Sequence, residues 1–433
     1  MSGFRLAFYF FCLLVIPLQG CRSGVSGKSA ESTSTGPCAI ALAPINSAAH
    51  LETKRIDAEI RRLQQIIRKE ADPTIRIERL GWLFVEKARL GYDPGNYKIA
   101  EQCAACVESH KPGNAGAMLL RGHVLHSLHR FKEAEGVARE LTSKRGLAFD
   151  YGLLGDVLME QGKLTEAIAA YQKMMDLKPG PQAYSRAAHL RWLRGDVEGA
   201  RRLMLTAAQS SGQGDPESAA WAYTRLSLLE LQSGSRKKAV EACDSALTLQ
   251  SDYAPALLAC GRVMTAEGRE SAAVAIFQRA AGLNPLPEYQ WMLADALRSQ
   301  KREAEAVEVE KQIHARGEAE DPRTYSLFLA TRGEQVEKSI RLAETESKTR
   351  NDVFTLDAVA WSLAAGGRYD EAYETMQRAL AETTVDARLF FHAAAIAARS
   401  NHPGEARRYF KDAIKLEHML LPGERAQLRQ LKL

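Results

Sequence analysis

Apolar residues at Leu51, Ile56, Ile60, Leu63 and Ile67 fall on one helical face, while Lys54, Arg55, Arg61, Arg62, Arg68 and Lys69 stay off it. This pattern predicts an amphipathic helix within 51–72, followed by a fresh helix start at Asp72-Pro73, with Asp as cap and Pro in the first turn. Beyond it the pattern becomes periodic. A small residue stands at Ala100, Ala134, Ala167, Ala200, Ala239, Ala273, Ala306, Ser339, Ala372 and Ala406, at steps of 34, 33, 33, 39, 34, 33, 33, 33 and 34. Twelve positions earlier stand Ala88, Gly122, Gly155, Ala188, Ser227, Gly261, Ala294, Leu327, Ala360 and Ala394, all small except Leu327. Small residues at paired levels let two helices approach closely. Between the levels lie helix breakers such as Gln161-Gly162-Lys163, Glu267-Gly268-Arg269 and Gly366-Gly367-Arg368. Each period therefore predicts an antiparallel helix pair, too small to bury its own apolar face, that gains a core only by stacking on its neighbours.

The third unit carries Tyr151, Leu154, Gly155, Leu158, Ala167, Tyr171 and Pro179, and the sixth Leu257, Gly261, Ala273, Phe277 and Pro285. In these residues the chain resembles the tetratricopeptide repeat family over residues 73–415. The resemblance implies an all-α superhelix (solenoid) of about ten helix pairs that binds a partner peptide or protein in its concave groove. The eighth unit departs most from the pattern, through Leu327, Ser339 and a short first helix near Tyr325–Arg332. Residues 51–72 are expected to cap the first repeat. Residues 416–433, broken at Pro422-Gly423, are expected to close the far end with Leu421, Leu428 and Leu431.

Ahead of the repeats, Arg5 and the apolar run Leu6–Leu18 are too short for a comfortable membrane span and predict a signal peptide over 1–20. The run ends in Leu18-Gln19-Gly20-Cys21, which resembles the lipobox of bacterial lipoproteins. That resemblance implies a lipid anchor on Cys21 and, with Arg22 rather than Asp behind it, a place in the cell envelope at the outer membrane, facing the periplasm. An ordinary secretory signal with a chance Cys is the alternative. Residues 22–37 are mostly Ser, Gly and Thr with little that could pack, and 21–50 are expected to form a flexible tether. Gly27-Lys28-Ser29 is no phosphate loop, because Arg22 stands where the first Gly belongs. Beside an anchor, the basic helix over 51–72 has membrane head groups as an alternative contact.

Charge narrows the partners. Loss of Arg5 with the leader leaves 57 basic and 53 acidic residues, a formal +4, too weak and too evenly spread for a nucleic-acid binder. Cys103 and Cys106, with His110 a turn beyond and His123, His126 and His129 in the next unit, have the residue types of a metal or thiol redox site. No His follows Cys106 directly and no strand context surrounds the pair, so packing is the expectation and neither metal nor cofactor is assigned. Cys243 and Cys260 occupy packing positions as well. No catalytic motif appears, and the repeats leave no room for a separate catalytic domain.

All five tryptophans, Trp82, Trp192, Trp221, Trp291 and Trp361, lie 18, 15, 11 or 8 residues before a small position, within about 80° of one another on the first helix of their pair. Phe149, Phe328, Phe354, Phe391, His123, His126 and His189 share those offsets. Two readings follow. The residues Trp192, Trp221, Trp291, Trp361, His189, Phe149, Phe328, Phe354 and Phe391 line a groove for a protein or peptide ligand, or they pack between successive first helices. A principal site is expected between the fourth and seventh units, around Trp192, His189, Trp221 and Trp291. Asp156, Asp295 and Asp357 beside the rings suit peptide groups or sugar hydroxyls, which keeps a glycan in polysaccharide export as the rival ligand.

Overall fold

The computed structural model describes residues 36–45, 51–211, 215–431 and 433. The leader, Cys21 and most of the tether lie outside them, as does the centre of the polar insertion between the fourth and fifth units. Among the described residues every regular element is helical, and they fall into two units divided between Leu158 and Met159.

The N-terminal unit holds α1 (Pro37–Ala41), α2 (Leu51–Ile67), α3 (Thr74–Leu90), α4 (Gly95–His110), α5 (Ala115–Ser127), α6 (Phe131–Lys144) and most of α7 (Ala148–Glu160). The C-terminal unit continues with α8 (Leu164–Leu177), α9 (Pro181–Leu193), α10 (Val197–Ser210), α11 (Pro216–Gln232), α12 (Arg236–Leu249), α13 (Ala254–Ala266), α14 (Glu270–Leu283) and α15 (Pro287–Ser299). It then runs through α16 (Glu303–Glu320), α17 (Pro322–Arg332), α18 (Val336–Ser347), α19 (Val353–Ala365), α20 (Tyr369–Leu380), α21 (Ala387–Arg399) and α22 (Pro403–Lys415) to a 3₁₀ turn (Glu417–Met419) and α23 (Pro422–Gln430). From α3 to α22 these are ten helix pairs, each with an odd-numbered first helix and an even-numbered second.

Local chemistry sets the boundaries. Asp215, Asp321, Asp352 and Asp386 cap α11, α17, α19 and α21 by accepting backbone N–H groups in the first turn. The packing repeats as the period predicts. All ten second-helix small residues, from Ala100 to Ala406, have no exposed surface, and their partners twelve residues earlier are buried too. The eighth unit accommodates its departure with a hydrogen bond, because the Ser339 hydroxyl lies 2.8 Å from both the Ser326 carbonyl and the Ser362 hydroxyl. Its first helix, α17, is short as expected, at 11 residues.

Two expectations are corrected. The stretch read as tether is structured from Pro37, where α1 packs on α4, Gln64 donates to the Ala41 and Ala43 carbonyls, and Arg68 donates to that of Leu42. The cause is a disulfide between Cys38 and Cys106. Cys106 is therefore no simple packing residue, whereas Cys103 is a free, buried thiol whose pKa burial pushes up. Likewise Cys243 and Cys260, expected as separate core residues, form a second disulfide joining α12 to α13.

Candidate binding face

Within the C-terminal unit the coil of helix pairs closes on itself, so that turns far apart in sequence meet. Glu160, at the end of α7, accepts two bonds from the buried Arg350, at 2.7 and 2.5 Å, and its carbonyl accepts the Asn351 N–H at 3.0 Å. One helix pair further on, the Thr384 hydroxyl donates to the Leu193 carbonyl at 2.7 Å, and the Gln232 amide donates to the Val385 carbonyl at 2.6 Å. Gly162 and Gly195, both at positive φ, sit at these crossings. A Cβ there would come within 2.3 Å of the Asn351 carbonyl oxygen and 2.7 Å of that of Thr383, so both the turn and the close approach demand glycine.

The closure uses rings that sequence placed in a ligand groove. Trp192 stacks on Phe354 with centroids 5.6 Å apart, and its indole N–H donates to the Gln232 side chain at 2.9 Å. Trp361 stacks on His392 at 3.9 Å, and that imidazole bonds the Asp357 carboxylate at 2.8 Å. Trp291, Phe328 and Phe391 are 5%, 0% and 1% exposed. For these three the groove expectation is corrected: they are core, Trp291 packing against Phe328, Phe328 against His314 and Tyr325, and Phe391 against Trp361 and the cluster of Ala387, Ala413 and Leu428. Trp221 is half-buried against Ala220, Ala246 and Tyr253, Phe149 is half-buried on α7, and His189 lies beside Trp192 at 5.6 Å. Burial, helped by the charge of Arg225, pushes the His189 pKa down to about 3, which keeps its imidazole neutral.

What occupies the inner face is the chain's own end. The segment from Glu417 to Gln430 lies against α13, α15, α21 and α22. His418 meets the Leu231 carbonyl at 2.9 Å, Arg262 donates to the Met419 carbonyl at 2.8 Å, the Gly423 N–H donates to Asp295 at 2.9 Å, and Gln427 donates to the Thr331 carbonyl at 3.1 Å. Glu424 accepts from Arg388 at 2.6 Å and from the Leu421 N–H at 3.0 Å, which ties off the start of α23. Leu420, Leu421 and Leu428 are buried. The expectation for residues 416–433 is closure of the far end of the stack; the segment returns across first helices of much earlier pairs.

Charges are concentrated on that face. Arg225, Arg262 and Arg388 feel one another across α11, α13 and α21. Burial and the neighbouring guanidinium lower the pKa of Arg225 and Arg262, while burial of Arg388 is outweighed by Glu424 and Asp386, which hold it above its ordinary value. Arg225 lies 5.9 Å from the Trp192 ring and Arg388 5.0 Å from that of Trp291. Burial raises Asp295 to about 6, against the bond from Gly423 and with help from Glu424. The arginines went unread in sequence, although Arg262 and Arg388 stand 11 and 18 residues before their small positions, two of the offsets that the tryptophans use. Extending the offset scan to cations would have found these two but not Arg225, which stands 14 residues before Ala239.

Elsewhere, Cys38, Cys106 and His110 bring three potential ligand atoms within 4.8 Å, but both sulfurs are engaged in the disulfide. No thiolate is left there to hold a metal.

A family model described as tetratricopeptide repeat matches residues 151–181. No curated protein matches the chain. Among solved structures it is similar to the APC/C hetero-tetramer Cut9–Hcn1, at 15% identity and a TM-score of 0.45, over 92% of this chain and 62% of the other. The chain thus spans about three fifths of that protein's length. It is similar also to yeast Tom70, at 13% identity and a TM-score of 0.39 over 87% and 91%, and to Pseudomonas aeruginosa pilF, at 16% and 0.39 over 46% and 90%.

Proposed function

We propose that the chain is a tetratricopeptide-repeat protein acting as a non-enzymatic protein-binding scaffold of a bacterial cell envelope, taking a partner segment on the inner face of its C-terminal unit. The observation that carries this reading is the occupant of that face. A peptide segment already lies there, held by side chains that reach its backbone as well as by a charge pair and buried leucines. Export is supported by the two disulfides, which persist in oxidising compartments and are rare in reducing ones. Anchoring through Cys21 at the outer membrane rests on the lipobox resemblance alone. Against the glycan rival, Trp291, Phe328 and Phe391 are buried, and Trp192 and Trp361 already stack on Phe354 and His392.

One experiment tests both parts. A photo-crosslinking residue replaces Arg225 on the inner face or the exposed Lys237 on α12, in otherwise wild-type chain and in Cys21→Ser. Discrete envelope-protein adducts are expected from position 225 and not from 237, with wild type in the detergent phase and Cys21→Ser leaving it. Equal adducts from both positions overturn the scaffold reading, and equal partitioning overturns the anchor.

A further inference from the structure

Resting on the proposed role of the inner face, we propose that the C-terminal segment is an exchangeable intramolecular ligand, and that the partner displacing it presents the same chemistry. That chemistry is two consecutive leucines, a helix start with glycine at its second position, an acidic residue at its third, and a leucine four residues later.

Each element answers to a named feature of the face. Leu420 and Leu428 enter the cluster of Ala387, Phe391 and Ala413. Gly423 suits its place because a Cβ there would stand 2.6 Å from the Asp295 carboxylate that accepts its N–H and would push that carboxylate aside. Glu424 is 2% exposed and binds Arg388 while bonding back to Leu421, so an acid is needed at that position both for the ion pair and to start the helix.

Exchange rather than permanent packing follows from where the segment sits. The ten small-residue contacts that hold the helix pairs together involve none of its residues, so its departure leaves the stack intact. At nine residues α23 is shorter than a helix that persists alone in water, so it folds as it docks and is lost as it leaves. Its outer side, at Ala426, Arg429 and Gln430, is exposed, which gives an incoming segment a place to begin replacement.

The test uses the full chain. In native-state hydrogen exchange of wild type, the Leu421, Gly423 and Leu428 amides are expected to exchange at least a hundredfold faster than core amides of α13, α15 and α21. Exchange of all of them at one common rate overturns the proposal, because the segment would then be an integral layer. A labelled peptide of residues 416–433 is then added to wild type and to Glu424→Lys/Leu428→Asp, whose own tail is weakened. At least tenfold tighter binding to the variant is expected, with binding lost in Arg388→Glu and recovered when the peptide carries Glu424→Lys. No binding to a variant that keeps its far-UV circular dichroism overturns the proposal as well. Exchange and peptide binding need no envelope partner. If they succeed while the crosslinking fails, only the scaffold reading falls; if the reverse, only the exchangeable tail.

Discussion

The two units secure their flanking segments by different means. The N-terminal unit pins α1 to α4 with a covalent bond between Cys38 and Cys106, closing 68 residues of chain. The C-terminal unit brings its last helix back to the inner face with hydrogen bonds, buried leucines and the Arg388–Glu424 pair, and it closes its coil around Glu160 and Arg350 without a covalent link between those turns. A covalent staple holds irrespective of competing ligands, whereas polar contacts yield to any segment that reproduces them. The contrast separates a fixed end from one that can be exchanged.

The largest expected effect lies in the closure itself. Arg350→Ala strands the buried Glu160 and leaves Asp352 short of a partner, so the C-terminal unit should lose up to about 5 kcal/mol in denaturant titration. A loss under about 1 kcal/mol would show that the coil holds without this clasp.

Next comes the staple. Cys38→Ser should destabilise the N-terminal unit by about 4 kcal/mol, the chain-entropy value for a loop of this length. Differential hydrogen exchange should confine the loss to residues before Leu158. If the C-terminal unit loosened equally, the distinction drawn between the two ends would dissolve.

The smallest effect is a pH dependence. Asp295 titrates near 6 in the native state against 3.8 for its ordinary value, so the native state binds more protons between those limits and stability falls as pH rises through them. Asp295→Asn keeps an acceptor for Gly423 and removes the charge. It should match wild type near pH 3.5 and exceed it at pH 8 by at most about 3 kcal/mol. An unchanged slope in the Asn variant would locate the titration elsewhere.

Sequence revealed the stack but not its closure, and the reason is physical. Paired small residues such as Gly261 and Ala273 report a backbone separation within one repeat, which local spacing encodes. Whether Trp192 meets a ligand or Phe354 depends on small rotations summed across four intervening pairs, and no single repeat records that sum. The tryptophan offsets therefore identified a face without revealing what covers it. Cys38 was illegible for a related reason, since its partner is 68 residues away and the short apolar run 39–43 behind it carries too little periodicity to announce a packed helix. Ser339 was flagged as a departure, but the hydroxyl pair with Ser362 that accommodates it belongs to the following unit.

The glycine crossings carry one further consequence. Gly162 must meet Asn351, and Gly195 must meet Thr383, with a set number of helix pairs between each couple. Repeat arrays commonly grow and shrink by duplicating a module, yet adding or deleting one module between these crossings would set each glycine opposite the wrong turn. Within the C-terminal unit the chain is therefore length-locked: it tolerates drift in sequence, but not in copy number, and an engineered array built from its repeats would have to keep that count.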